Sequence, residues 1–132
     1  MADINEIAKQ FVGFYYSAFD NNAERQSLIN LYRDHSMVTW EGVLKQGKGD
    51  ADASITTHLE ELSSKFGKVQ HQVTTLDAQP SSPTIPSMVV NVTGLLIVDD
   101  SPNPLHFSQV FHLIPEGGSY YVYNDIFRLN LG

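Results

Sequence analysis

The chain of 132 residues has no cysteine, which excludes disulfide bonds, thiolate metal sites and a cysteine nucleophile. Basic residues are also scarce: 8 lysines and arginines stand against 15 aspartates and glutamates, which leaves a net charge of −7. Such a surface repels the phosphate backbone of nucleic acid, so no nucleic-acid partner is expected. An acidic surface favours a basic partner, or it simply maintains solubility.

Long apolar runs are missing as well, and the longest, such as residues 95–98, are far too short to span a bilayer. The N-terminus lacks a basic region followed by an apolar run, so no signal peptide is expected. Phosphate-binding glycine loops, zinc-type histidine spacings and a Gly-x-Ser-x-Gly motif are also absent from the sequence. We therefore expect no metal, no cofactor and no membrane association.

What the chain does contain is 42% hydrophobic residues, enough for the core of one domain over residues 1–132. Apolar residues at helical spacing predict three helices, over residues 3–20, 23–30 and 50–66. Asp3 and Glu6 form a capping-box pattern at the start of the first helix, and Asp50 is expected to cap the third. After Gly67 the apolar period changes from about 3.6 to about 2, which predicts four long strands joined by hairpins. Helices followed by strands predict an α+β fold, with the helices on one face of an antiparallel sheet.

Two polar residues interrupt apolar strand faces. His71 lies between two valines, and Asp125 lies between Tyr123 and Phe127. Each residue either makes a satisfied structural hydrogen bond or lies at a sheet edge or subunit interface. Alternatively, the two form an acid/base pair in a pocket with Tyr121 or Tyr123, because desolvation raises the pKa of a carboxyl group. The last strand is predicted to place Tyr121, Tyr123, Asp125, Phe127, Leu129 and Leu131 on one face.

An ordered set of short motifs runs along nearly the whole chain. The set includes Phe14-Tyr15-Tyr16, Thr39-Trp40-Glu41-Gly42, Gln46-Gly47-Lys48, Val69-Gln70-His71, Phe107-Ser108-Gln109-Val110-Phe111 and Asn124-Asp125-Ile126-Phe127-Arg128-Leu129. With this set the chain resembles the nuclear transport factor 2 family, carriers that bring the GDP-bound form of the GTPase Ran into the nucleus. The resemblance implies a cystatin-like cone, in which a strongly bent antiparallel sheet wraps around three helices. It also implies a homodimer formed through the outer face of the sheet.

The resemblance further assigns residues to a Ran-binding site. Trp40 would line the mouth of an apolar cavity that accepts an aromatic side chain of Ran. Glu41 would lie on the rim, together with Asp99 and Asp100. Phe127 is also assigned to the Ran-binding site. Strand alternation would separate Trp40 from Glu41, but the glycine that follows them allows a turn, so both can border one opening.

Family members also bind the Phe-x-Phe-Gly repeats of nuclear pore proteins. The corresponding aromatic position is Ile4 here, which offers no ring for stacking. His71, Met88 and Val90 are assigned to the dimer interface. The resemblance implies a carrier and not an enzyme, located in the cytoplasm and nucleus and concentrated at the nuclear pore. The alternatives are an isomerase or dehydratase of the same fold that uses Asp125 and His71, and a scaffold subunit that pairs with a related domain.

Overall fold

The structure is a computed structural model that describes residues 3–130, over which two α-helices, one 3₁₀ helix and six strands form. The helices are α1 (Ile4–Asp20), the 3₁₀ helix (Arg25–Leu31) and α2 (Ile55–Lys65), and the strands are β1 (Tyr32–Trp40), β2 (Val43–Gln46), β3 (Val69–Pro80), β4 (Met88–Val98), β5 (Leu105–Glu116) and β6 (Ser119–Asn130). They build one sheet in the order β2-β1-β6-β5-β4-β3. The predicted α+β class is confirmed. Two features were not predicted: the short strand β2, and the parallel pairing of β1 with β6.

The two α-helices begin at side-chain caps. The Asp3 carboxylate accepts the backbone N–H of Asn5, so α1 starts where predicted. Helix α2 starts at Ile55 and not near Asp50, because Ser54 is its N-cap. The residues before Ser54 are instead held in a loop, in which Ala53 O accepts the backbone N–H of a β2 residue at 2.8 Å. No helix within residues 3–130 is long and apolar enough to cross a membrane.

The C-terminal ends of both α-helices meet at Arg25, whose exposed fraction is 0%. Its Nε donates to Phe19 O at 2.7 Å, and its Nη1 donates to Leu62 O at 3.2 Å and to Phe66 O at 3.3 Å. The last carbonyls of a helix carry partial negative charge, so the guanidinium group stabilises both ends. Arg25 thereby fixes α2 against α1.

Strand β4 has an inner and an outer face. Met88 and Val90 lie on the inner face and are 1% and 0% exposed. We therefore correct their assignment to a dimer interface: both side chains are already buried in the core of the protomer and leave no surface for a second copy. The outer face carries Val89, Asn91, Thr93, Leu95 and Ile97, which are partly or fully exposed.

His71 is also inside the protomer. Its Nδ1 lies 2.6 Å from Asp20 Oδ1, and its ring stacks on Tyr16 with 4.3 Å between ring centroids. Its side chain is only 2% exposed. The assignment of His71 to a dimer interface is corrected for the same reason, because the ring fills the space between α1 and β3.

A bulge in β6 changes the face of two tyrosines. The ladder with β5 skips from Val122 to Asn124, so Tyr123 is the extra residue. Val122 is therefore buried, and Tyr121 and Tyr123 lie on the face opposite Asp125. The prediction of a single common face is wrong for these two tyrosines. Of the other predicted members, Phe127 and Leu129 share the face of Asp125, and Leu131 lies outside the described residues.

Candidate functional site

A cleft of about 370 Å³ lies between the β1–β2 hairpin and helix α2. It is lined by Trp40, Glu41, Val43 and Lys45 of the hairpin and by His58, Glu61, Leu62 and Lys65 of the helix. We call it the Trp40 cleft. Pockets for small ligands begin at about 300 Å³, so the cleft has room for one side chain of a partner.

Trp40 is held by aromatic stacking while it lines the cleft. Its indole stacks on the ring of Phe127, with 4.1 Å between centroids and 9° between planes. Phe19 lies at 6.2 Å and is nearly parallel, and His58 lies at 5.2 Å. Phe127 itself is 1% exposed and stacks in turn on Phe107 at 5.7 Å. The assignment of Phe127 to a binding surface is thus corrected: its ring supports Trp40 from inside the core.

A two-residue turn places Glu41 directly beside Trp40. Trp40 pairs with Val43 across the hairpin, and Glu41 and Gly42 have φ values of 51° and 85°. Positive φ at both central residues is the geometry of a type I′ hairpin turn, which favours glycine. The Glu41 side chain accepts the backbone N–H of Leu129, so its direction is fixed by the end of β6.

His58 forms an uncharged wall of the cleft. It is 6% exposed and lies on the α2 surface that faces Trp40. Burial, together with the positive charges of Lys45 and Lys65, lowers the pKa of His58 from 6.5 to about 4. At neutral pH the imidazole is therefore neutral and presents an aromatic surface.

Asp99 and Asp100 lie outside the lining of the Trp40 cleft, in the turn between β4 and β5. The Asp99 side chain accepts the backbone N–H of Lys68 at 3.0 Å, and Lys68 Nζ lies 3.1 Å from Asp100 Oδ1. Strand pairing places this turn at the same end of the sheet as Glu41, because Leu129, which bonds to Glu41, pairs with a residue near the start of β5. Asp99 shapes the turn, whereas Asp100 extends into solvent, with a side chain 72% exposed.

Asp125 lies in a different place from the cleft and belongs to a sealed polar cluster. Gln109 Nε2 donates to its Oδ1 at 2.7 Å, and Tyr32 Oη and Tyr15 Oη donate to its Oδ2 at 2.8 and 3.4 Å. Asp125 is 2% exposed, and burial raises its pKa from 3.8 to about 6. We call Asp125, Gln109, Tyr15 and Tyr32 the Asp125 cluster.

The predicted acid/base pair is not assembled. His71 bonds to Asp20, and Asp125 bonds to the Asp125 cluster, so the two do not bond to each other. Tyr121 and Tyr123 lie on the other side of the sheet, where Tyr121 Oη is 3.0 Å from His35 Nε2. Both carboxylate oxygens of Asp125 already accept hydrogen bonds inside the core, so a substrate has no access to them.

Ile4 is the first residue of α1 and is partly buried against the core. It does not line the Trp40 cleft. Residues 3–130 contain no group of three His, Asp or Glu side chains that could hold a metal ion.

Six lining residues were not predicted as site residues: Val43, Lys45, His58, Glu61, Leu62 and Lys65. The available signal was weak. His58 and Lys65 each lie three residues after an apolar residue of the predicted third helix, so they border its apolar stripe. Lys45 could be placed only once β2 was known to pair with β1.

The chain is similar to known proteins over nearly its whole length. The family model described as the nuclear transport factor 2 (NTF2) domain matches residues 7–129. A protein of Candida glabrata named nuclear transport factor 2 is 54% identical over 128 residues, which are 97% of this chain and 95% of that protein. The protein of that name from Saccharomyces cerevisiae is 51% identical over 97% of this chain and 95% of its own. The solved structure of nuclear transport factor 2 from Cryptosporidium parvum is 42% identical, covers 96% of this chain and 94% of its own, and has a TM-score of 0.82.

Proposed function

The chain belongs to the nuclear transport factor 2 family, and on that basis we propose that it is a nuclear import carrier for the GDP-bound form of the GTPase Ran. The relatives are named as transport factors, which supports a carrier and not an enzyme. The carrier works between cytoplasm and nucleus, and its concentration at the nuclear pore is part of the proposal.

The observation that carries the proposal is the pairing of Trp40 with Glu41 at one opening. A supported indole lines the Trp40 cleft, and a carboxylate fixed by Leu129 stands beside it. An aromatic side chain of Ran can enter against the indole while a basic neighbour approaches the carboxylate. The Asp125 cluster offers no comparable access, so no observation favours the enzymatic alternative.

Trp40 and Glu41 are expected to contribute differently to the free energy of binding. Burial of one aromatic side chain contributes roughly 1.5–3 kcal/mol. An exposed ion pair contributes only about 0–1 kcal/mol, so Glu41 and Asp100 act mainly on encounter rate and selectivity. Discrimination of the bound nucleotide then depends on whether Ran presents its aromatic side chain, and this chain needs no nucleotide site of its own.

We further propose that the carrier is a homodimer and binds Phe-x-Phe-Gly repeats of nuclear pore proteins. Partly exposed Val89, Leu95 and Ile97 lie on the outer face of β4, and Ile126 of β6 is 50% exposed on the same face. An apolar sheet face of this kind is typical of an interaction surface.

Ile4 supplies apolar area for repeat binding without a ring, so we expect weak affinity for the repeats.

The test is a calorimetric titration of the protein with Ran, loaded with GDP in one series and with a non-hydrolysable GTP analogue in the other. Asp125→Asn serves as a control variant, because its side chain lies outside the Trp40 cleft. Binding of the GDP form alone, by wild type and control equally, is the expected result. No binding of either form by the wild type would overturn the proposal.

A further inference from the structure

The Trp40 cleft is lined by basic as well as acidic side chains. Lys45 of β2 and Lys65 of α2 line it together with His58. Both ammonium groups are close enough to His58 for their charges to act on its imidazole. Glu41 and Glu61 line the same cleft. The opening therefore combines two cations, two anions and a neutral imidazole around one indole.

Neither lysine forms an ion pair with the carboxylates that share the cleft. Three ion pairs occur within residues 3–130, and none of them includes Lys45, Lys65, Glu41 or Glu61. Lys45 is half-buried, whereas Lys65 is exposed. Lys45 is partly removed from water and has no carboxylate of the described residues within 4.0 Å. An ion pair with a docking anion therefore contributes more binding free energy at Lys45 than at a fully solvated lysine.

We propose that Lys45 and Lys65 receive an acidic side chain of the docking partner, next to the aromatic side chain that enters the Trp40 cleft. The partner segment thus carries an aromatic residue, a basic residue that faces Glu41 and an acidic residue that faces the lysines. This inference deepens the proposed function, because it concerns the same cleft.

The first experiment measures the affinity of Lys45→Gln/Lys65→Gln for GDP-bound Ran by calorimetry. Glutamine keeps a polar side chain of similar length and removes both charges. Lys48→Gln is the matched control, because Lys48 is an exposed lysine of the adjoining loop outside the cleft lining. We expect affinity to fall about 5- to 20-fold in the double variant and by less than about 2-fold in the control. Equal or tighter binding by the double variant overturns the proposal.

A second experiment does not depend on Ran. Trp40 is the only tryptophan, so incorporation of fluorotryptophan gives a single fluorine NMR signal at the cleft. Three short peptides are titrated, each with a central phenylalanine: one flanked by an acid and a base, one by two bases and one by two neutral residues. The mixed peptide is expected to bind most tightly in the wild type and to lose that advantage in Lys45→Gln/Lys65→Gln.

The two experiments separate the possible failures. If the wild type does not bind Ran but the mixed peptide is preferred through the lysines, the proposed function fails and the present inference stands. If the wild type binds GDP-bound Ran but the peptide with two bases is preferred, or the lysine variants behave as wild type, the inference fails and the proposed function stands.

Discussion

The Trp40 cleft and the Asp125 cluster lie at neighbouring inward positions of β6, yet one is open and the other is sealed. Phe127 supports the indole of the cleft, and Asp125 lies two residues earlier on the same face. Both regions combine aromatic rings with titratable groups, which is why the sequence allowed a carrier and an enzyme. The two regions differ in how many of their polar atoms have hydrogen-bond or ion-pair partners within the protein.

In the Asp125 cluster, every carboxylate oxygen has a donor. Gln109 donates to one oxygen, and Tyr32 and Tyr15 donate to the other. In the Trp40 cleft, two lysines lack carboxylate partners within residues 3–130, and the indole is only partly covered. A buried polar group whose bonds are all made inside the protein is typical of a structural role, whereas an open cleft lined by an aromatic side chain and a few polar groups is a candidate binding site.

The largest expected effect comes from charge reversal in the open region. Glu41→Lys is expected to weaken binding of GDP-bound Ran by about 3–5 kcal/mol, which is more than about 100-fold, because repulsion between the new base and a basic residue of Ran adds to the loss of the ion pair. The substitution also removes the acceptor for the Leu129 N–H, so its stability must be measured as well. Glu41→Gln is the matched control, since it keeps an acceptor oxygen and removes only the charge.

Calorimetry and thermal unfolding together decide the outcome for Glu41. Glu41→Gln is expected to keep the melting temperature of the wild type and to show an intermediate loss of affinity. If Glu41→Lys folds normally and binds as tightly as the wild type, Glu41 is not on the interface.

In the sealed region, Asp125→Asn is expected to change how stability depends on pH and to leave binding unaffected. The pKa of Asp125 is raised from 3.8 to about 6 in the folded protein, so the folded state binds the proton more tightly than the unfolded chain. This group therefore lowers the free energy of unfolding as pH rises from about 4 to about 6, by at most about 3 kcal/mol for a shift of some two units. Asparagine cannot ionise, and this contribution disappears.

The measurement is urea unfolding of wild type and Asp125→Asn at several pH values between about 4 and 7.5. The stability of the variant relative to the wild type should increase across that range and level off above the folded pKa. A difference that is constant with pH would show that Asp125 does not titrate as the structure predicts.

A smaller effect is expected from Tyr32→Phe, which removes the shorter of the two hydroxyl bonds to Asp125 Oδ2. Loss of one buried hydrogen bond to a carboxylate costs about 1–3 kcal/mol. Chemical unfolding at pH 7 measures the loss. A simultaneous loss of Ran binding greater than about 2-fold would contradict the separation between the sealed cluster and the cleft.

The smallest effect on stability is expected from Asp100→Ala. Its ion pair with Lys68 is exposed, with side chains 72% and 69% accessible, so the free energy of unfolding should change by less than about 0.5 kcal/mol. Affinity for GDP-bound Ran should nevertheless fall a few-fold if this turn contributes to the acidic rim. Unchanged affinity would remove Asp100 from the interface and leave Glu41 as the tested rim acid.

Local patterns in the sequence were sufficient to predict much of the fold. Helix α1, its Asp3 cap and the later strands follow from apolar periodicity and turn chemistry. Strand β2 has only four residues, and its pairing depends on the turn at Glu41, so periodicity did not reveal it. The parallel pairing of β1 with β6 joins distant parts of the chain, which no local pattern reports.

The candidate site was predictable in part. Trp40 and Glu41 were identified as neighbours at one opening, and the turn after them explains how that happens. Met88 and Val90 were assigned to the wrong face because β4 is apolar on both sides, so alternation does not distinguish inside from outside. His58 and the two lysines depend on how α2 packs against the hairpin, which is a tertiary contact held in part by Arg25.

The most direct test of the central claim follows Trp40 itself while the partner binds. The fluorotryptophan-labelled protein is titrated with GDP-bound Ran and, separately, with Ran bound to a GTP analogue, and the single fluorine signal is recorded. We predict a change of the Trp40 signal that saturates with the GDP form and no change with the GTP form. Binding of GDP-bound Ran that leaves the Trp40 signal unchanged would contradict the account, because the partner would then dock elsewhere on the molecule.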